Sequence, residues 1–121
     1  MALLNLILLY VDNPARSSHF YENVFGKAPS ASFPNYVAFE FPNGLTLGLW
    51  STMAANFVSG GTGHRAEIAF MVADDAAVDQ LYGQWVTAGV RIEQKAHMAV
   101  FGRTFVALDP DGHRLRVCTP D

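Results

Sequence analysis

One cysteine, Cys118, stands among 121 residues. An intrachain disulfide is excluded, and with it the small secreted folds that depend on cystine staples. The lone thiol suits a reducing compartment, so a cytoplasmic location is expected, with Cys118 a small packed residue near the terminus rather than a nucleophile. Positive charge is also sparse. Eight Lys and Arg face eleven Asp and Glu for a net charge of −3, and no basic run occurs, so no nucleic-acid partner is expected. Long apolar runs are missing too. The opening MALLNLILLYVDN falls well short of the roughly 20 apolar residues that a helical span needs. It also lacks the basic lead-in of a signal peptide, so no membrane partner is expected.

What the chain has is enough apolar material for a core. Half its residues are hydrophobic and only 16% are charged, which at this length means one domain, or two very small modules sharing a core. The line VALDPDGHRLRV, from Val106 to Val117, organises the rest. Asp109, Pro110, Asp111 and Gly112 form a turn: Pro sets φ, Asp side chains accept from nearby backbone N–H groups, and Gly tolerates positive φ. In the strand after it, alternation places His113, Leu115 and Val117 on one face and Arg114, Arg116 and Cys118 on the other. Two arginines on one strand face require either solvent or a hollow holding their partners.

Taken in order, the chain opens with a strand over Leu3–Val11 that is apolar on both faces, as in a strand covered on both sides. Asp12, Asn13 and Pro14 start a helix, Asn or Asp capping it, with Phe20, Val24, Tyr21 and Phe25 as its apolar stripe and Gly26 as its end. A short segment near Ala28–Phe33 and strands over Tyr36–Phe41 and Leu45–Trp50 follow, the last two joined by the Asn43–Gly44 hairpin signal. Residues 51–63 read as a linker or loop, with Met53 and Phe57 its large apolar residues, packed on the body or folded over a ligand. The plan then repeats. Glu67–Ala73 is a strand, Asp74 and Asp75 cap a helix striped by Val78, Leu81, Tyr82 and Trp85, and Gly89 ends it. A short strand near Val90–Glu93, a loop through His97, a strand over Thr104–Leu108 and the final strand complete the second copy. Each half would leave one face of its four-stranded sheet open.

This pattern resembles the vicinal oxygen chelate superfamily, in particular its glyoxalase-like and bleomycin-resistance-like members. The residues that carry the likeness are Tyr10–Arg16, His19-Phe20-Tyr21, Val24-Phe25-Gly26, Leu45–Trp50 and Gly102–His113. The resemblance implies an α+β fold in which two βαβββ modules form an incomplete barrel, here a single domain over 1–121. Its modules would be 3–50 and 64–121 on either side of the linker. A homodimer is also implied. In metal-dependent members, four strands supply ligands to a divalent ion. Those positions fall on Asn5, on Leu47 or Gly48, on Glu67 and on Arg116. Only Glu67 is an ordinary ligand, and a guanidinium has no lone pair for a cation. His19, His64, His97 and His113 are not spaced as a replacement cluster. The expectation is therefore no metal and no cofactor.

Asn5, Glu67 and Arg116 instead suggest a polar lining, with Glu67 and Arg116 either a structural pair or ligand-binding groups. Arg114 has the same alternatives, ligand contact or snorkelling to solvent. Ile7, Leu9, Trp50, Met71 and Phe105 would supply apolar contact area or core packing. The functional expectation is metal-independent binding of a small molecule, an aromatic or amphipathic compound sequestered in a cleft as in bleomycin resistance. The alternative is a lyase, isomerase or dioxygenase with an atypical metal site, or one using Glu67 as a metal-free base assisted by Arg116. A structural or interaction role is the third reading.

Overall fold

The computed structural model describes residues 4–53, 66–100 and 102–119. The greater part of the expected linker, Phe57 and His64 lie outside them. Two compact units divide the chain, Met1–Gly61 and Thr62–Asp121.

The first unit runs β1 (Leu6–Val11), α1 (Pro14–Phe25), β2 (Ala31–Phe33), β3 (Tyr36–Glu40) and β4 (Thr46–Ser51). Its sheet order is β1-β4-β3-β2. β1 lies parallel to β4, while the β3–β4 and β2–β3 pairs are antiparallel. The parallel pair is possible because α1 is the crossover that carries the chain back along the sheet. Asn13, not Asp12, is the N-cap: its side chain accepts from the Arg16 N–H at 3.2 Å. Pro14 then occupies the first turn, where its missing donor costs nothing. Gly26 closes the helix at φ 68°, in the left-handed region.

The buried side of α1 is Pro14, Ser17, Ser18 and Tyr21. Phe20 and Val24, expected in the stripe, are half-buried at its margin. The two serines are small enough to let the helix settle close to the sheet, and the aromatic rings pack beyond them. Tyr21 stacks on Phe25 at 5.3 Å, and Phe25 meets the edges of Phe39 and Phe41 at 5.2 and 5.0 Å. Val11, Val37, Phe39, Leu47 and Leu49 complete this core. β1 is covered on this side only. Leu6, Leu8 and Tyr10, on its other face, remain 43%, 42% and 40% exposed.

The second unit repeats the scheme with β5 (Ile68–Met71), α2 (Asp75–Thr87), β6 (Arg91–Ala99), β7 (Gly102–Leu108) and β8 (Arg114–Cys118), in sheet order β5-β8-β7-β6. Asp74 caps α2 by accepting from the Ala77 N–H at 2.9 Å. Under α2, Phe105 meets Tyr82 and Trp85 edge-on at 5.1 and 5.4 Å, and Phe70 meets Trp85 at 5.7 Å. Val78, Leu115 and Val117 fill the remainder. One correction concerns β6. The expected loop through His97 is part of a nine-residue strand whose register to β7 shifts twice, between Ile92 and Gln94 and between Gln94 and His97. Each irregularity breaks the two-residue alternation by which a strand is recognised.

Both units are thus βαβββ modules with open mixed sheets, the architecture of the glyoxalase-like fold. No described helix is long and apolar enough to cross a membrane.

Candidate functional site

Each sheet has one face under its helix and one open face, and strand parity assigns every candidate to one or the other. In the first module the register aligns Leu8, Gly48 and Ala38 across three strands, and Tyr10, Trp50 and Tyr36 across the same three. These residues share the open face. The alternate rows, Ile7–Leu47–Phe39 and Leu9–Leu49–Val37, lie on the helix side. Of Leu47 and Gly48, Gly48 therefore faces outward and Leu47, 4% exposed, is core.

Ile7 belongs to the helix-side row, and so by alternation does Asn5, which precedes β1 and accepts the Thr46 N–H through its carbonyl. Both border a separate open hollow of about 540 Å³ beside the β3–β4 turn, with Leu4, Asn43, Gly44 and Leu45. On β1 the outward residues are Leu6, Leu8 and Tyr10. An apolar strand with two apolar faces does not announce which of them the helix will cover. The open face they form with Trp50 and Tyr36 is largely aromatic, with Tyr10 and Trp50 rings 6.0 Å apart and tilted by 42°.

In the second module Ala69, Arg116 and Val106 align on the open face, as do Arg114 and Leu108. Met71 is outward and 71% exposed, whereas Phe105 is fully buried beneath α2. Glu67 stands immediately before β5. Arg116 donates to it through Nε at 2.5 Å and through Nη2 at 3.5 Å. A third donation, from Nη1, goes to the hydroxyl of the buried Thr104 at 3.1 Å, and that hydroxyl donates to the Val117 carbonyl at 2.8 Å. Arg114 completes the group. Its Nε lies 3.1 Å from Glu93 and 3.7 Å from Glu67, yet it is shielded from water without a well-aligned hydrogen bond. Charge proximity rather than directional bonding holds Arg114 in place. The sequence left open whether the two arginines meet solvent or partners; here Glu67 and Glu93 are the partners.

The turn before β8 forms as its residues demand. Asp109 is 1% exposed. One of its carboxylate oxygens accepts the Asp111 and His113 N–H groups at 2.9 and 2.8 Å, and the other meets His113 Nδ1 at 2.8 Å. Gly112, at φ 85°, closes the loop by donating its N–H to the Asp109 carbonyl. The bond to Asp109 raises the His113 pKa above the ordinary 6.5, with burial opposing it and the charges of Asp109 and Asp111 assisting. Asp109, Asp111 and His113 bring potential ligand atoms within 4.8 Å of one another. Both Asp109 oxygens are already committed to the turn, so this cluster is a folding device.

A divalent ion of the kind the resemblance implies needs several converging oxygen or nitrogen donors. The positions in question carry Asn5, Leu47 or Gly48, Glu67 and Arg116. Gly48 offers no side-chain donor, Arg116 has no lone pair for a cation, and Glu67 is already engaged by two guanidinium groups, so this set does not fit such an ion.

Comparison with known proteins agrees with the fold. Residues 3–117 match the family described as Glyoxalase/Bleomycin resistance protein/Dioxygenase superfamily. The phenazine antibiotic resistance protein EhpR of Enterobacter agglomerans is 35% identical over 120 residues, covering 97% of this chain and 92% of its own. A protein of Agrobacterium tumefaciens solved by solution NMR is 40% identical, covers 100% of this chain and 99% of its own, and superposes with a TM-score of 0.88. A lactoylglutathione lyase of the same organism is 20% identical with a TM-score of 0.79, covering 98% and 94%, a likeness of fold.

Proposed function

The chain belongs to the glyoxalase/bleomycin resistance/dioxygenase superfamily, and we propose that within it the protein binds and sequesters a planar aromatic compound without a metal ion. The observation that carries this reading is the open face of the first sheet. Tyr10, Tyr36 and Trp50 sit in one row across three strands with Leu8 beside them, and Leu8 and Tyr10 are two-fifths exposed. Rings supply large contact area at low entropic cost, and their faces accept another flat π-system at stacking distance. The phenazine resistance relative, similar over nearly its whole length, supports a flat, fused-ring ligand.

The charged group of the second module supports the same reading. Arg114 and Arg116 are held by Glu67 and Glu93 rather than aimed at a cation. Sequestration needs no reacting group. In its metal-free form the lyase, isomerase or dioxygenase alternative uses Glu67 as a base, and both its oxygens are occupied by guanidinium donors. A homodimer, common in this superfamily, is part of the proposal.

The test is equilibrium binding measured by isothermal titration calorimetry, with phenazine and phenazine carboxylate as probes. Stoichiometric binding with a Kd on the order of micromolar is expected. Trp50→Ala should weaken it about tenfold. If neither probe binds, or if turnover of the probe is lost specifically in Glu67→Gln, sequestration is the wrong description.

A further inference from the structure

Gly48 occupies a central strand, where glycine weakens pairing and contributes nothing to packing. Turn geometry does not require it. The described glycines at positive φ are Gly26, Gly44, Gly89, Gly102 and Gly112, and Gly48 is not among them. Space is the requirement. A Cβ on Gly48 would lie 2.6 Å from Leu8 Cδ2, 2.7 Å from the Tyr36 hydroxyl and 2.8 Å from Tyr36 Cε1. Tyr36 is paired not with Gly48 but with Trp50, two residues along β4. Its ring therefore crosses diagonally and lays its phenol end where the side chain of residue 48 would stand. Ala38, the partner of Gly48 on β3, adds only a methyl group to the same row.

We infer that Gly48 is a specificity-determining residue: by lacking a side chain it lets Tyr36 lie across β4 as a flat floor, which selects planar ligands over compact globular ones. The inference rests on the proposed binding of aromatic compounds to this face and adds what decides their shape. Any side chain at position 48 would lift the phenol away from the strand and displace Leu8. The level surface beside the Tyr10–Trp50 pair would then become a ridge. The three close atoms are all side-chain atoms, so rotation can relieve the clash and the sheet can survive it. The consequence is for binding more than for folding.

The experiment compares phenazine carboxylate with adamantane carboxylate, which share an anionic group and differ in flatness. Wild type should prefer phenazine carboxylate, and Gly48→Ala should weaken it about tenfold while leaving adamantane carboxylate within about twofold, closing the gap. In a Tyr36→Leu background, Gly48→Ala should have little further effect, because the ring through which it acts is gone. Circular dichroism and melting establish that each variant is folded. Should Gly48→Ala fail to fold, Tyr36→Phe against Tyr36→Leu decides: the phenylalanine keeps the floor and the preference, the leucine loses both. Folded Gly48→Ala binding phenazine carboxylate like wild type overturns the inference and leaves the proposed function standing. So does a Tyr36→Leu variant that binds like wild type, or a wild type indifferent between the two probes. Wild type binding neither probe removes the proposed function, and this inference with it.

Discussion

Glu67 is one carboxylate serving two guanidinium groups. Removing its charge leaves Arg116 and Arg114 near each other with Glu93 as the remaining acid. The group is partly solvated, so the cost is that of charged hydrogen bonds at a wet site rather than of a dry ion pair. Glu67→Gln is expected to lower stability by about 1–2 kcal/mol, read from urea unfolding. Adding Arg116→Met to that variant should cost much less than Arg116→Met alone, because the arginine then loses a partner already weakened. His113 makes the opposite kind of statement, about pH. Its folded pKa is raised by Asp109, so its contribution is complete below the unfolded value near 6.5 and is lost as pH rises through the folded value. Thermal melts from pH 6 upward, with about half-unit steps, should show this decline in wild type and a flatter profile in His113→Gln. An unchanged profile in the variant would mean that the Asp109 bond is not the source.

At the level of elements, the two caps are equivalent devices at equivalent places in the repeat, Asn13 before α1 and Asp74 before α2. Replacing either by Ala should cost about 1 kcal/mol in denaturant unfolding. The repeat of strand, cap, helix and three strands was legible because caps, glycine stops and helical stripes are local signals. The Asp109–Gly112 turn and the split of β8 into an apolar and an arginine face were legible for the same reason. What resisted was whatever depends on a partner strand. β6 looked like a short strand and a loop because its two register shifts are settled by β7. The ambiguity between Leu47 and Gly48 turned on which face α1 would cover. Ile7 and Phe105 shared that difficulty. An apolar residue on an apolar strand fits a core and a binding surface equally well, and only the helix distinguishes them.

For the whole molecule, the decisive question is whether binding depends on a metal, because the superfamily accommodates both answers on one scaffold. Under the proposed function the chemistry of the donor set disfavours a metal. A cation bound at Glu67 would have to displace Arg116 from it. A planar organic ligand needs none of this. Under the proposed function it stacks on the Tyr10, Tyr36 and Trp50 row of the first module. Two thermal-shift series separate these cases. Phenazine carboxylate at about a hundred times its Kd should stabilise the protein by about 2.7 kcal/mol, which for a chain of this size moves the Tm by roughly 10 °C. The same shift should persist undiminished after exhaustive treatment with a chelator. Zinc, nickel or manganese added without the phenazine should move the Tm by less than about 1 °C, the outcome for an ion with no preference for the native state. A phenazine-dependent shift that disappears with the chelator and returns with one of these ions would show that Glu67 serves as a ligand after all, and that Arg116 gives way to the metal.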